Sequence, residues 1–267
     1  MPEIRVDPLT GLRTIVAGAG AAALNPDAPD IPRDATPDLF TRAPARGTHE
    51  VLVNGPATSL AQLTPQQLAE AMQRWRERIR HHVAAGASCV HVSVDEDPAA
   101  ASASTAQLHA FDFVPAAVAR EREHFGAYAV RTMGSNLLAD LVQDEVRRRE
   151  RIVAIDDEAV CVAPFASRAA YELLIAPRRP TPRFEDDGPL GAALLHDVLN
   201  RLNRHLGAAP PLSLWVRTAP RGADHFAWRI EVLPRLEPAT GVELGTGVGV
   251  TAVAPEAAAA ALRDAGA

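Results

Sequence analysis

The order in which hydrophobic periodicities follow one another constrains this chain more than any other feature of its sequence. A run alternating with period two, "HEVLVN" (49–54), is followed by "TPQQLAEAMQRWRERIRHHV" (64–83), with apolar residues at helical spacing behind a Thr N-cap and a Pro at the first helical position. Two further alternating runs come next, at 88–94 ("SCVHVSV") and 105–113. The same order then returns: a strand at 170–177 ("AYELLIAP"), a helix at 191–206 ("GAALLHDVLNRLNRHL"), and strands at 211–217 ("PLSLWVR") and 225–233 ("HFAWRIEVL"). Two passes of strand, helix, strand, strand imply a diverged internal duplication, with residues 1–130 and 131–267 as its halves. Strands that alternate need one buried face, so the expected class is α+β, an antiparallel sheet flanked by helices.

Composition closes several routes. With 267 residues and 47% hydrophobic content the chain can bury a substantial core. Its net charge of −6 and the absence of a clustered basic face argue against a nucleic-acid partner. Cys89 and Cys161 sit inside apolar runs and read as reduced core thiols. No stretch approaches the ~20 apolar residues of a membrane span, and no leader-like segment opens the chain, so a cytoplasmic location and no membrane contact are expected.

One stretch fits this pattern poorly at its start. "ASASTAQLHAFDFVP" (101–115) ends as a strand stopped by proline but opens on five small residues. Together with "DPLTGLRTIVA" (7–17), "GTHEVLVNGPATSLAQLTPQQLAEAMQRWRERI" (47–79), "FASRAAYELLIAPRRP" (165–180) and "FAWRIEVLPRLEPATGVELGTG" (226–247), it resembles the galactose-1-phosphate uridylyltransferase family of the histidine triad superfamily. The blocks cover most of the chain in the family's order. The resemblance implies two histidine-triad-like half-domains sharing one antiparallel sheet, a nucleotide, nucleotide-sugar or sugar-phosphate ligand, and a homodimer or pairing with a paralogue.

In that family a His-x-His-x-Gln segment enters the strand, and its second histidine attacks the α-phosphorus of a nucleotide sugar. Here the segment reads Ala103-Ser104-Thr105-Ala106-Gln107, so Gln107 stays and both histidines are gone. Thr105 occupies the nucleophile position, but a threonine phosphodiester is stable, and making and breaking it needs an added base. His109 shares a face with Thr105 and Gln107 yet lies roughly 13 Å along the strand from position 105, so it reads as a bystander.

Other positions depart from the family in the same way. Zinc wants four thiolate or imidazole ligands, and Asn136 and Ala139 stand where relatives place a Cys-x-x-Cys pair, Pro180 where they place histidine, and "PDAPDIPRDA" (26–35) where a further cysteine pair is expected. No metal and no cofactor are therefore expected, and His49 reads as a strand-edge hydrogen bonder. The family's Phe-His-Trp has become Phe226-Ala227-Trp228. By period two, His225, Arg229 and Glu231 share the polar face of that strand, where they form either an anion site or a salt-bridge row. The basic run that in relatives grips phosphate from a neighbouring subunit reads "VAGAGAAAL" (16–24), which is no P-loop. Ligand-binding candidates are thus Gln107, Asp95, His225, Arg229 and Glu231. The expected function is nucleotide or sugar-phosphate binding without covalent catalysis. Two alternatives stand beside it: repurposed phosphate-ester or nucleotidyl chemistry in the same cleft, and a structural partner of an active paralogue.

Overall fold

The computed structural model describes residues 3–6, 13–16, 42–44, 46–100 and 102–266. Three short strands, β1 (Glu3–Val6), β2 (Arg13–Val16) and β3 (Arg42–Pro44), make a small sheet of their own in the order β2-β1-β3. The main body begins with β4 (Gly47–Val53), α1 (Pro65–Ala84), β5 (Cys89–Glu96) and β6 (Thr105–Phe111). Helices α2 (Ala116–Arg131) and α3 (Leu137–Arg148) and the strands β7 (Ile152–Ile155) and β8 (Ala159–Val162) follow. The second pass is β9 (Leu173–Pro177), α4 (Ala192–Leu206), β10 (Leu212–Arg217) and β11 (Arg229–Pro234), and the chain ends on α5 (Gly241–Thr246) and α6 (Pro255–Asp264).

All eight strands from β4 onward form one antiparallel sheet in the order β4-β6-β5-β10-β11-β9-β8-β7. Its first six strands read the same from either end of that group once β4 is matched to β9, β6 to β11 and β5 to β10. The two halves therefore share one sheet and meet at the β5–β10 seam, where Val94 stands opposite Leu214. The duplicated pattern in the sequence becomes a local twofold in the sheet.

Helix α1 starts where its capping signals put it: Thr64 accepts from the Gln67 N–H while the Gln67 side chain closes the box on the Thr64 N–H. Its apolar stripe, Leu68, Met72, Trp75 and Ile79, is wholly buried against Val92, Val94 and Leu108 of the sheet, and the stripe of α4 completes the same core. A second, smaller core lies on the opposite face, where Phe125 of α2 and Leu138 of α3 pack on Val160, Val162, Ala176, Phe226 and Ala227. No helix among the described residues is long and apolar enough to cross a membrane.

The last strand differs from its sequence reading. β11 starts at Arg229, and Phe226, Ala227 and Trp228 before it are all buried, so they do not alternate. Their backbone is held irregularly: the Trp228 N–H donates to the Thr181 carbonyl, and the Asn136 amide donates to the His225 carbonyl. His225 consequently sits exposed in a loop and does not share the strand face of Arg229 and Glu231. β9 likewise opens three residues late, after a turn in which Tyr171 takes a left-handed φ of 61°.

Candidate functional site

The sheet face turned away from α1 and α4 carries the chemistry. On β6, Ala106, Leu108 and Ala110 enter the core, which sends Thr105, Gln107, His109 and Phe111 to the other side. Register does the rest. His49 of β4 and His91 of β5 both stand opposite His109, while Val51 and Ser93 stand opposite Gln107. Three imidazoles thus lie side by side across three strands.

The His49 and His109 rings stack with centroids 4.5 Å apart, and His49 Nε2 lies 2.6 Å from Gln107 Oε1. His109 is held below the usual histidine range by burial and then by the neighbouring His49. His91 is pushed down to about 4, chiefly by burial and next by the Arg217 guanidinium. The side chains of His91, His109, Ser93 and Thr105 make no hydrogen bond among the described residues. This patch offers lone pairs and donors with nothing bound to them.

The segment leading into the patch is tied down. Ser104 is buried, accepts from the Asn54 amide (2.9 Å) and donates to Glu96 Oε1 (2.8 Å). The Leu60 N–H donates to the same carboxylate oxygen (2.6 Å), and Trp75 Nε1 donates to Asn54 Oδ1 (3.0 Å). Burial pushes the Glu96 carboxyl up, against the pull of these hydrogen bonds. The inward turn of Ser104 leaves only the Ala103 methyl and the Thr105 hydroxyl of the three residues 103–105 to face outward.

Further along the same face, β10 and β11 present a different arrangement. Arg229 donates to Glu231 Oε1 (2.8 Å) and to Glu121 Oε2 of α2 (2.9 Å), and Arg168 donates to Glu231 Oε2 (2.8 Å) and pairs with Glu172. Arg217 Nε lies 3.4 Å from Glu121 and 3.6 Å from Glu231. Trp215 lies beneath the guanidiniums of Arg168 and Arg217, at 5.0 and 5.8 Å. Three guanidiniums face three carboxylates, so the cluster is neutral overall and Arg229 is not a lone cation. Burial alone would raise the Glu231 carboxyl, but Arg229, Arg217 and Arg168 together hold it below the usual range. Of the two options the sequence leaves open for Arg229 and Glu231, the geometry forms the ion-pair row.

The structure therefore brings Thr105 and Gln107 onto one face with Arg229 and Glu231, three strand spacings or ~14 Å apart. Asp95 lies on that face too, taken up by Ser213 Oγ (2.5 Å) and Arg235 (3.0 Å). His225 is not brought to it. Sequence reading missed His91, which the alternation of "SCVHVSV" already places with Ser93 opposite the core residues, and it read His109 as a bystander; His49 is the strand-edge hydrogen bonder it was read as, on the edge strand β4 against Gln107. It also missed Glu121, Arg168 and Arg217, whose partners come from distant segments.

At the positions where the resemblance implies zinc ligands, Asn136 accepts from the Leu138 and Ala139 N–H groups as the cap of α3, and Ala139 lies within that helix. Residues 26–35 and all of 16–24 beyond Val16 lie outside the described residues. Among the described residues no three His, Cys, Asp or Glu side chains are grouped to hold a metal ion. Both cysteines are buried and unpaired, and burial pushes the Cys89 thiol up to about 12.

No family profile matches the chain. Among curated proteins it is similar to the galactose-1-phosphate uridylyltransferase of Haemophilus influenzae, 27% identical over 221 residues, covering 78% of this chain and 62% of that protein. It is also similar to the ADP-glucose phosphorylase of Arabidopsis thaliana, 24% identical over 238 residues, covering 82% and 64%. The chain thus spans less than two thirds of the length of these relatives. In fold it superposes on a uridylyltransferase structure with a TM-score of 0.86, 21% identity and 98% of both chains covered. It superposes on the Arabidopsis thaliana ADP-glucose phosphorylase with bound ADP-glucose at 0.73, with 20% identity and 99% of both covered.

Proposed function

We propose that this divergent relative of the galactose-1-phosphate uridylyltransferases binds a nucleotide sugar or sugar phosphate on the β4–β6–β5 face and holds it without a covalent intermediate. The observation that carries this reading is the composition of residues 103–105. Ser104 is spent on the core, Ala103 has no functional group, and Thr105 offers a hydroxyl with no base hydrogen-bonded to it. Around Thr105 the face keeps polar groups without a hydrogen bond among the described residues, namely the Gln107 amide N–H groups, Ser93, His91 and His109, which suit the phosphates and hydroxyls of such ligands. The similarity to proteins named for galactose 1-phosphate and ADP-glucose supports the same ligand class.

A panel of nucleotides, nucleotide sugars and sugar phosphates in a thermal-shift format tests this. A ligand at 100 times its dissociation constant stabilises the fold by ~2.7 kcal/mol, which for a chain of this size raises the melting temperature by roughly 5–10 °C. No shift from any member of the panel would remove ligand binding and leave the role of structural partner. The reading includes a homodimer, which light scattering should register as twice the chain mass; a monomer at all concentrations would refute that part.

A second reading has one feature in its favour. His91 and His109 share one face, and burial holds both below the usual histidine range, which favours the neutral imidazole that works as a general base. Phosphate-ester cleavage without a covalent intermediate is the reaction such a base would serve, and release of free sugar phosphate from a nucleotide sugar in the same panel would reveal it.

A further inference from the structure

The row of His49, His109 and His91 has a property that no single histidine has. Its members are adjacent in register, two of the rings are stacked, and none of the three touches a carboxylate. The acidic groups nearby are all engaged elsewhere. Asp95 is held by Arg235 and Ser213, Glu231 and Glu121 by the arginine cluster, and Glu50, next to His49 in the chain, by Arg78 and His82 of α1. The neighbouring cation, Arg217, acts on His91 as a like charge. With Gln107 oriented so that its oxygen faces His49, Nε2 of His49 carries the proton and the Gln107 amide keeps its own donors free. Among the described residues no carboxylate is paired to the row, and Glu231 and Asp95 act on His91 only from a distance.

We infer that the diphosphate of a nucleotide sugar settles over the His49–His109–His91 row, and that it brings one proton with it onto His109, stacked on His49. This rests on the reading that the face binds such ligands. The physical reason is reciprocity: an anion placed beside the pair supplies the missing counter-charge and favours the imidazolium, so protonation must favour the anion by the same factor. The lowered affinity of His109 for protons in the ligand-free protein agrees with this, because it leaves room for the shift. One proton is the stoichiometry because two imidazoliums stacked at 4.5 Å would repel. The diphosphate diester is the useful probe. Its charge is constant between pH 5 and 8, whereas a sugar phosphate titrates near pH 6 on its own account.

Calorimetric titration of the whole protein with ADP-glucose and with UDP-glucose, at pH 7.5 and 5.5 and fixed ionic strength, is the test. For at least one of the two, affinity should be about tenfold or more higher at pH 5.5. Runs in buffers of different ionisation enthalpy should show uptake of about one proton per ligand. His109→Gln should bind with nearly equal affinity at both pH values, and its melting curve is recorded beside it. The wild-type proton count decides the matter even where that variant folds poorly. Binding with no proton uptake and affinities within about twofold overturns this inference and leaves the ligand-binding function standing. Absence of binding at both pH values overturns the two together.

Discussion

Incubated with UDP-glucose labelled in its uridylyl group, the protein will show no added mass on the intact chain, and it will not exchange uridylyl groups between UDP-glucose and galactose 1-phosphate. Double displacement needs a side chain that accepts a nucleotide and returns it with similar ease. A histidine phosphoramidate does this, and a threonine phosphodiester does not. Losing the carrier removes several powers of ten in rate even where binding persists, each tenfold being ~1.4 kcal/mol of barrier. Putting histidines back through Ala103→His and Thr105→His should recover little. The segment's path is set by Ser104, whose hydroxyl is committed to Asn54 and Glu96. Intact-protein mass spectrometry and the exchange assay decide the outcome. A uridylyl adduct on Thr105 that a sugar phosphate chases off would refute both this expectation and the non-covalent reading.

The second large effect concerns stability. Glu231→Ala should destabilise the fold by about 3–5 kcal/mol, the range seen when one partner of a buried ion pair is removed and the other is stranded. Glu231 is only 6% exposed and answers to Arg168, Arg217 and Arg229, so its loss leaves three guanidiniums against two carboxylates. Glu231→Gln, which keeps the shape and some hydrogen bonds, should cost less. The pH dependence has a definite sign. Because the folded-state pKa lies below the unfolded value of about 4.3, the stabilisation is fully present above that value and is lost as the pH falls through the folded one. Urea denaturation at pH 7 and in steps down to pH 3 measures both. A difference from wild type below about 1 kcal/mol at pH 7, or a gap that stays constant into strong acid, would contradict the prediction.

Periodicity exposed those parts of the fold in which one face of an element meets water. β6 and β10 alternate throughout and β5 after its first residue, and α1 and α4 carry both an apolar stripe and a legible end. β8 escaped because all four of its residues are buried, which leaves no alternation to read. β7 is too short to show a period, and α2 has a sparse apolar stripe, with Val118, Phe125 and Ala129 its only buried side chains. β11 misled because Phe226 and Trp228 imitate a period that the irregular backbone does not follow. The candidate site was legible only where residues are close in sequence, as with Thr105 and Gln107 on one face of β6. Arg229 meets Glu121 across 108 residues of chain and Arg168 meets Glu231 across 63, distances at which spacing carries no signal. The imidazole row is likewise a product of strand register and not of any motif.

The twofold within the sheet relates these two regions. Centred on the Val94–Leu214 pair, it carries Ala106, the partner of Val94, onto Val232, the partner of Leu214, and so places Thr105 on Glu231. Thr105 and Glu231, the most heavily paired carboxylate among the described residues of the sheet, therefore hold equivalent places in its two halves. The two places carry different loads. The one in the second half is a clasp that binds β10, β11 and α2 to one another, and its residues can hardly vary without loss of stability. Thr105 in the first half bears no such load, since its side chain makes no hydrogen bond among the described residues and the core beneath it is closed by Ser104 and Leu108. A change at Thr105 should therefore cost the fold little where the same change at Glu231 costs it much, so one place in the sheet is free to vary and its equivalent is not.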